Sequence, residues 1–134
     1  LLAVDRNNPR VASLYHSLHP AVLRALKSIC DQARSVNCQI SVCGEMAGDP
    51  LSAVMLLGLG YDHLSMSANS LLKVKSMLNQ VSKIEAGNLA KRALRMSDSG
   101  SVSQLLADAL SRPELSKLYR PVEISAGPSV ALKS

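Results

Sequence analysis

The sequence predicts an α/β fold, mostly helical, with two or three short parallel strands. Three observations predict it. Helical periodicity alternates with short β-type runs along the 134 residues. Strands separated by helices pair in parallel, as in a βαβ unit. A parallel pair also needs both faces covered, so so few strands read as the last part of a larger α/β domain. The apolar start Leu1-Leu2-Ala3-Val4 has no Met, no basic n-region and no long apolar stretch. It reads as a chain cut in mid-structure, not as a signal peptide.

Taken in order, residues 1–4 finish a strand or lead out of one. Asp5-Arg6-Asn7-Asn8-Pro9-Arg10 is a loop, and a short helical turn follows over residues 11–15. His19-Pro20 opens a firmer helix to about Ser35, with proline pre-organised at the first turn. Leu23, Leu26, Ile29, Cys30 and Ala33 form its apolar face, and Cys30 is most simply a core filler. Residues 38–43 read as a strand in which Ile40 and Val42 alternate with Gln39 and Ser41. Residues 43–49 read as a glycine-containing loop. Asp49-Pro50 caps a helix carrying Leu51, Val54, Met55 and Leu57, stopped by Gly58 and Gly60. Residues 63–66 are a second strand. Ser70 is taken as the cap of a helix with Leu71, Val74, Leu78 and Val81. Ser82 with Glu85 forms a capping box for a helix through about Arg95, and Ser101 with Gln104 forms a second box. Arg112-Pro113 ends that helix, and residues 120–134 read as a disordered tail.

Composition narrows the function. The chain has no Trp or Phe and only Tyr15, Tyr61 and Tyr119. The core is therefore aliphatic, and a stacking platform for single-stranded nucleic acid is excluded. The net charge is +5, but Lys73, Lys75, Lys83, Lys91, Arg92 and Arg95 are scattered on outward helix faces. They read as a solvated surface, with no nucleic-acid partner. The longest apolar run, residues 53–57, is far short of a membrane span. Cys30, Cys38 and Cys43 are an odd set with no C-x-x-C, and His16, His19 and His63 do not complete a zinc site. No metal ligands are assigned, and the thiols suggest a reducing compartment.

Two places suit chemistry. In (β/α)8 barrels the reactive residues sit at the C-terminal ends of strands and in the loops that follow. Cys43 ends a strand before Gly44 and Glu45, and Arg6 follows the apolar start. A protonated thiol beside glycines that admit a ligand can serve as a general acid, and an arginine fork suits a phosphate or carboxylate. The plainer alternatives remain open: a small buried cysteine, and a surface ion pair of Arg6 with Asp5 or Glu45.

Several motifs occur in order: Leu2-Ala3-Val4-Asp5-Arg6-Asn7-Asn8, Leu18-His19-Pro20-Ala21-Val22-Leu23, Cys43-Gly44-Glu45-Met46-Ala47-Gly48-Asp49, Leu57-Gly58-Leu59-Gly60 and Leu64-Ser65-Met66-Ser67. From Leu1 to about Val81 the chain resembles the C-terminal phosphoenolpyruvate-binding domain of enzyme I of the bacterial phosphotransferase system. The resemblance is greater to the nitrogen-related paralogue than to the sugar enzyme. It implies the C-terminal part of a phosphoenolpyruvate-binding (β/α)8 TIM barrel. A barrel of that kind needs about 250 residues.

The family moves phosphate from phosphoenolpyruvate, with magnesium, to its own histidine and then to a small phosphocarrier protein of the HPr-like type. By resemblance Arg6 holds the substrate's anionic groups, Cys43 is the proton donor that converts the enolate to pyruvate, and Gly44 and Glu45 shape the pocket loop. The family's phosphorylated histidine, its metal ligands and its further arginines have no match in this sequence. The chain alone is therefore expected to be inactive. The expected organisation is barrel over residues 1–97, a helical extension over 98–119 and a tail over 120–134, in a cytoplasmic, homodimeric bacterial parent. The alternative is a non-catalytic dimerisation or interaction module, since a truncated barrel exposes strand edges and apolar helix faces.

Overall fold

The computed structural model describes residues 16–111. The expectations for residues 1–15, Arg6 among them, and for the tail lie outside the described residues.

Helix α1 spans Pro20–Ser35. Pro20 occupies the first turn, and His19 is the N-cap, its Nδ1 accepting from the Ala21 N–H at 3.1 Å. Leu23 and Cys30 are buried, as expected of that face, but Ile29 is exposed. Strand β1 is Ser41–Cys43, shorter than the expected run, so Cys38 lies outside it and is exposed. Residues expected to be loop form a single helical turn, α2, Glu45–Gly48.

Helix α3, Pro50–Leu59, is the hub of the fold. Asp49 caps it, accepting from the Ser52 N–H at 2.8 Å. The residues from Leu51 to Leu56 are all buried, so this helix is enclosed on every side. Each large aliphatic chain among them contributes about 1.5–3 kcal/mol by burial. Gly58 does not stop the helix. It lies inside α3, and the left-handed residue is Gly60, with φ 104°. The Gly60 N–H and the Tyr61 N–H both donate back to the Leu56 carbonyl, at 3.0 and 3.1 Å. Arg34 of α1 donates to the Gly60 carbonyl at 2.8 Å, tying the two helices at this end. The Tyr61 hydroxyl donates to the Leu26 carbonyl at 3.0 Å. Burial, with the neighbouring Cys30 as a second cause, pushes the Tyr61 phenol above its usual value.

Strand β2, His63–Ser65, pairs with β1 in parallel, in the register Ser41 to His63, Val42 to Leu64 and Cys43 to Ser65. Helix α4, Ala68–Leu78, begins one turn earlier than expected. Ser67 is its N-cap, Ser70 lies in its first turn, and Leu71 is exposed. Helix α5, Lys83–Ala93, is capped as expected, with Ser82 Oγ accepting from the Glu85 N–H at 3.1 Å. Helix α6, Ser99–Ala109, is capped by Asp98, not by Ser101. Gln104 donates to Asp108 within the helix and takes no part in a box. Asp98 accepts both the N–H and the hydroxyl of Ser101, at 2.8 and 2.6 Å.

The core joins α1, α3, α5 and α6 through Leu23, Cys30, Met55, Leu56, Leu89 and Leu106. It contains no Phe or Trp, as the composition requires. Helices α3 and α5 approach closely where Gly58 faces Ala86 and Ala90. Lys73, Lys75, Lys83, Lys91, Arg92 and Arg95 are all exposed. No helix among the described residues is long and apolar enough to cross a membrane.

Candidate functional site

The two strands have unlike faces. Ile40, Val42 and Leu64 pack against the helical core. Ser41, Cys43, His63 and Ser65 are exposed. Because side chains alternate along a strand, these four share the opposite, polar face. Cys43 is therefore not the small buried residue that composition alone allows. It is a free thiol, accessible, at the C-terminal end of β1.

The turn after Cys43 depends on Gly44. Its φ of 98° and ψ of −160° lie in a region that essentially only glycine occupies. Among the described residues, no heavy atom outside its chain neighbours lies within 4 Å of where a Cβ would stand. Conformation, not crowding, thus requires glycine here. The Gly44 N–H donates to the Ser65 carbonyl at 3.2 Å, carrying the parallel ladder one residue past Cys43. Glu45 then opens α2 and is exposed. Cys43, Gly44 and Glu45 thus stand together at the end of the sheet. Arg6 lies outside the described residues, and no geometry links it to them.

Strand pairing adds Ser65, the direct partner of Cys43. Nothing in the residue spacing announces this neighbour, since register is a property of two segments together. Among the described residues no three or more His, Cys, Asp or Glu side chains gather as metal ligands. The described residues therefore assign no ligand set to the magnesium ion implied by the resemblance. A separate surface groove of about 560 Å³ lies between α5 and α6, lined among others by Arg92, Met96, Leu105 and Asp108. None of the residues lining it belongs to the Cys43 turn.

In this arrangement the accessible Cys43 thiol faces any ligand that lies over the polar face. The glycine beside it leaves that approach open.

Comparison with known proteins places the chain in a family. Residues 1–83 match the family model described as PEP-utilising enzyme, PEP-binding domain. A protein of Salmonella typhimurium strain LT2 named "Phosphoenolpyruvate-dependent phosphotransferase system" is 45% identical over 120 residues, 90% of this chain and 16% of that protein. The protein of that name from Escherichia coli K12 matches to the same extent. The "Phosphoenolpyruvate-protein phosphotransferase" of Enterococcus faecalis is 41% identical over 97 residues, 72% of this chain and 17% of that protein. The chain thus spans about a sixth of the length of the curated relatives it matches. With the family model covering more than half of the sequence, this chain belongs to the family described as PEP-utilising enzyme, PEP-binding domain.

Proposed function

We propose that this chain is the C-terminal part of the (β/α)8 barrel of a phosphoenolpyruvate–protein phosphotransferase, and that Cys43 is its proton donor. The observation that carries the proposal is the accessible thiol at a strand's C-terminal end, on the polar face of a parallel sheet. Barrel enzymes keep their chemistry at that end.

In the proposed step the phosphoryl group passes from the enol oxygen of phosphoenolpyruvate to a histidine nitrogen elsewhere in the parent. The P–O bond breaks, a P–N bond forms and an enolate remains. The enolate carbon takes the proton of the Cys43 thiol, giving pyruvate and a thiolate, which solvent reprotonates. Arg6 holds the substrate's anionic groups through its planar fork. Gly44 and Glu45 shape the loop around the acid. A magnesium ion held by residues of the parent outside this chain would supply charge neutralisation for the transferring group. The phosphate then moves to a small phosphocarrier of the nitrogen-type HPr-like class, in a cytoplasmic homodimer.

The test is turnover in the full-length parent. Cys43→Ser is expected to lower kcat by about 10²-fold or more, the usual worth of a general acid. Arg6→Ala is expected to raise KM for phosphoenolpyruvate. Unchanged turnover in the cysteine variant would remove the proton-donor assignment. A second reading, a non-catalytic interaction module, draws on Leu71 and Leu72, exposed side by side on α4. It gains ground if the cysteine variant keeps full turnover while Leu72→Asp disperses an oligomer.

A further inference from the structure

We propose that Ser70, in the first turn of α4, is a positioning residue for the Cys43 turn and acts through Gly48. The functional sense of this rests on the reading of Cys43 as the proton donor.

The segment carrying Cys43 is held at two points by the segment following β2. The first is the backbone bond from Gly44 to the Ser65 carbonyl, 3.2 Å. The second is a close approach. A Cβ added at Gly48 would lie 3.0 Å from Ser70 Oγ, 3.2 Å from Ser70 Cβ and 3.7 Å from Met66 Cβ. The last residue of α2 thus rests directly on the first turn of α4.

Between these two points lie only Glu45, Met46 and Ala47 of the four-residue helix α2. Few backbone bonds stiffen them: Gly48 N–H to the Gly44 carbonyl at 3.2 Å and Asp49 N–H to the Glu45 carbonyl at 3.0 Å. So short a helix cannot fix its own place, and what it rests on at either end decides where it sits. Ser70 is itself held. Its N–H donates to the Ser67 carbonyl at 3.0 Å, and the Ser67 hydroxyl, which makes no side-chain cap to the α4 backbone, turns to Ser70 Oγ at 3.4 Å. The chain of contact therefore runs from the end of β2 through Ser67 and Ser70 to Gly48, and through α2 to Gly44 and Cys43. Gly48 has no positive φ, so an added methyl there meets a limit of space and not of backbone conformation. Catalytic groups must be held to about 0.5 Å, and it is the residues behind them that hold them. Added bulk at Gly48 needs a shift of a few tenths of an ångström between α2 and α4.

The experiment uses the full chain and its own cysteines. Cys43 and Cys38 are exposed and Cys30 is buried. Iodoacetamide alkylation of each, followed by peptide mass, reports Cys43 against Cys38 as a reference and Cys30 as a monitor of unfolding. Gly48→Ala is expected to change the Cys43 to Cys38 rate ratio by at least about twofold, the lower end of coupling for residues in contact. Adding Ser70→Gly, which removes the two atoms nearest the new methyl and leaves only the ordinary contact with Met66 Cβ, is expected to restore the ratio, with Cys30 protected throughout. An unchanged ratio in Gly48→Ala, no restoration in the double variant, or Cys30 reacting in step with Cys43 would each overturn the proposal. Failure of the proton-donor reading shows separately, as undiminished turnover of Cys43→Ser in the parent.

Discussion

Gly58→Ala tests the packing of the hub helix. In an isolated helix this change stabilises by about 1 kcal/mol. Here the new methyl would stand 2.2 Å from the Ala86 carbonyl oxygen, 2.6 Å from its carbon and 3.0 Å from Ala90 Cβ. Ordinary contact begins more than an ångström further out. The obstructing atoms are helical backbone, so no side-chain rotation relieves the clash. Helix α3 is enclosed from Leu51 to Leu56 and has nowhere to retreat. The two helices must part, loosening the contacts of Leu89 and Ala90. Overpacking of this kind costs about 1–3 kcal/mol, sometimes more. The misfit here, against rigid backbone, places the cost at the upper end. After the propensity gain of about 1 kcal/mol, the expected loss is about 2 kcal/mol.

The control is Gly87→Ala in α5. Nothing lies within 4 Å of that Cβ position, and the backbone there is ordinary helix. It should raise stability by about 0.5–1 kcal/mol. Urea unfolding followed by circular dichroism measures both. The reasoning fails if the two variants move the midpoint in the same direction, or if Gly58→Ala matches the parent chain.

Ser52 is fully buried, and among the described residues its hydroxyl has no hydrogen-bond partner. Ser52→Ala should therefore leave stability unchanged or raise it by up to about 1 kcal/mol in the same urea assay, and a clear loss would reveal a partner for the hydroxyl. The Asp98 carboxyl is held below its usual 3.8, first by the Ser101 hydroxyl and then by the Ser101 N–H. A depressed folded value means that this stabilisation is complete above the unfolded value and lost as pH falls through the folded one. Asp98→Asn should therefore flatten the acid limb of stability, with the gap to the parent chain closing as urea midpoints are followed downward from about pH 5. A gap of constant size down the acid limb would contradict this.

Much of this was legible because the sequence punctuates itself. His19-Pro20 and Asp49-Pro50 start α1 and α3 where local chemistry demands, and residues 20–35 are helical from end to end as expected. The misplacements share one cause: residues of equal local competence, between which tertiary contact chooses. Gly58 and Gly60 look alike in sequence. Only Gly60 takes the left-handed turn that lets Arg34 reach its carbonyl, whereas Gly58 admits the backbone of α5. Ser67 and Ser70, or Asp98 and Ser101, can each begin a helix, and the earlier residue does so in both pairs. Ile29 and Leu71 fit the helical period yet are exposed, because periodicity marks an apolar stripe and not how much of it these helices cover. Helix α2 left no trace. Four residues ending in glycine have little helical preference of their own, and they are held by contact with the segment after β2.

The position of Cys43 was readable for a different reason. Alternation in β1 assigns Val42 inward, and Cys43 must then point the other way. What the structure adds is the neighbour, Ser65, and the polar character of the shared face. Buried parallel strands ordinarily carry apolar side chains on both faces. Here the face away from the helices carries Ser41, Cys43, His63 and Ser65. A sheet that needed only to be packed would gain from valine or isoleucine at these positions. Hydroxyls, a thiol and an imidazole there instead fit a face that meets polar ligand or ordered water. That polar face is the one to which the proposed proton donor, Cys43, belongs.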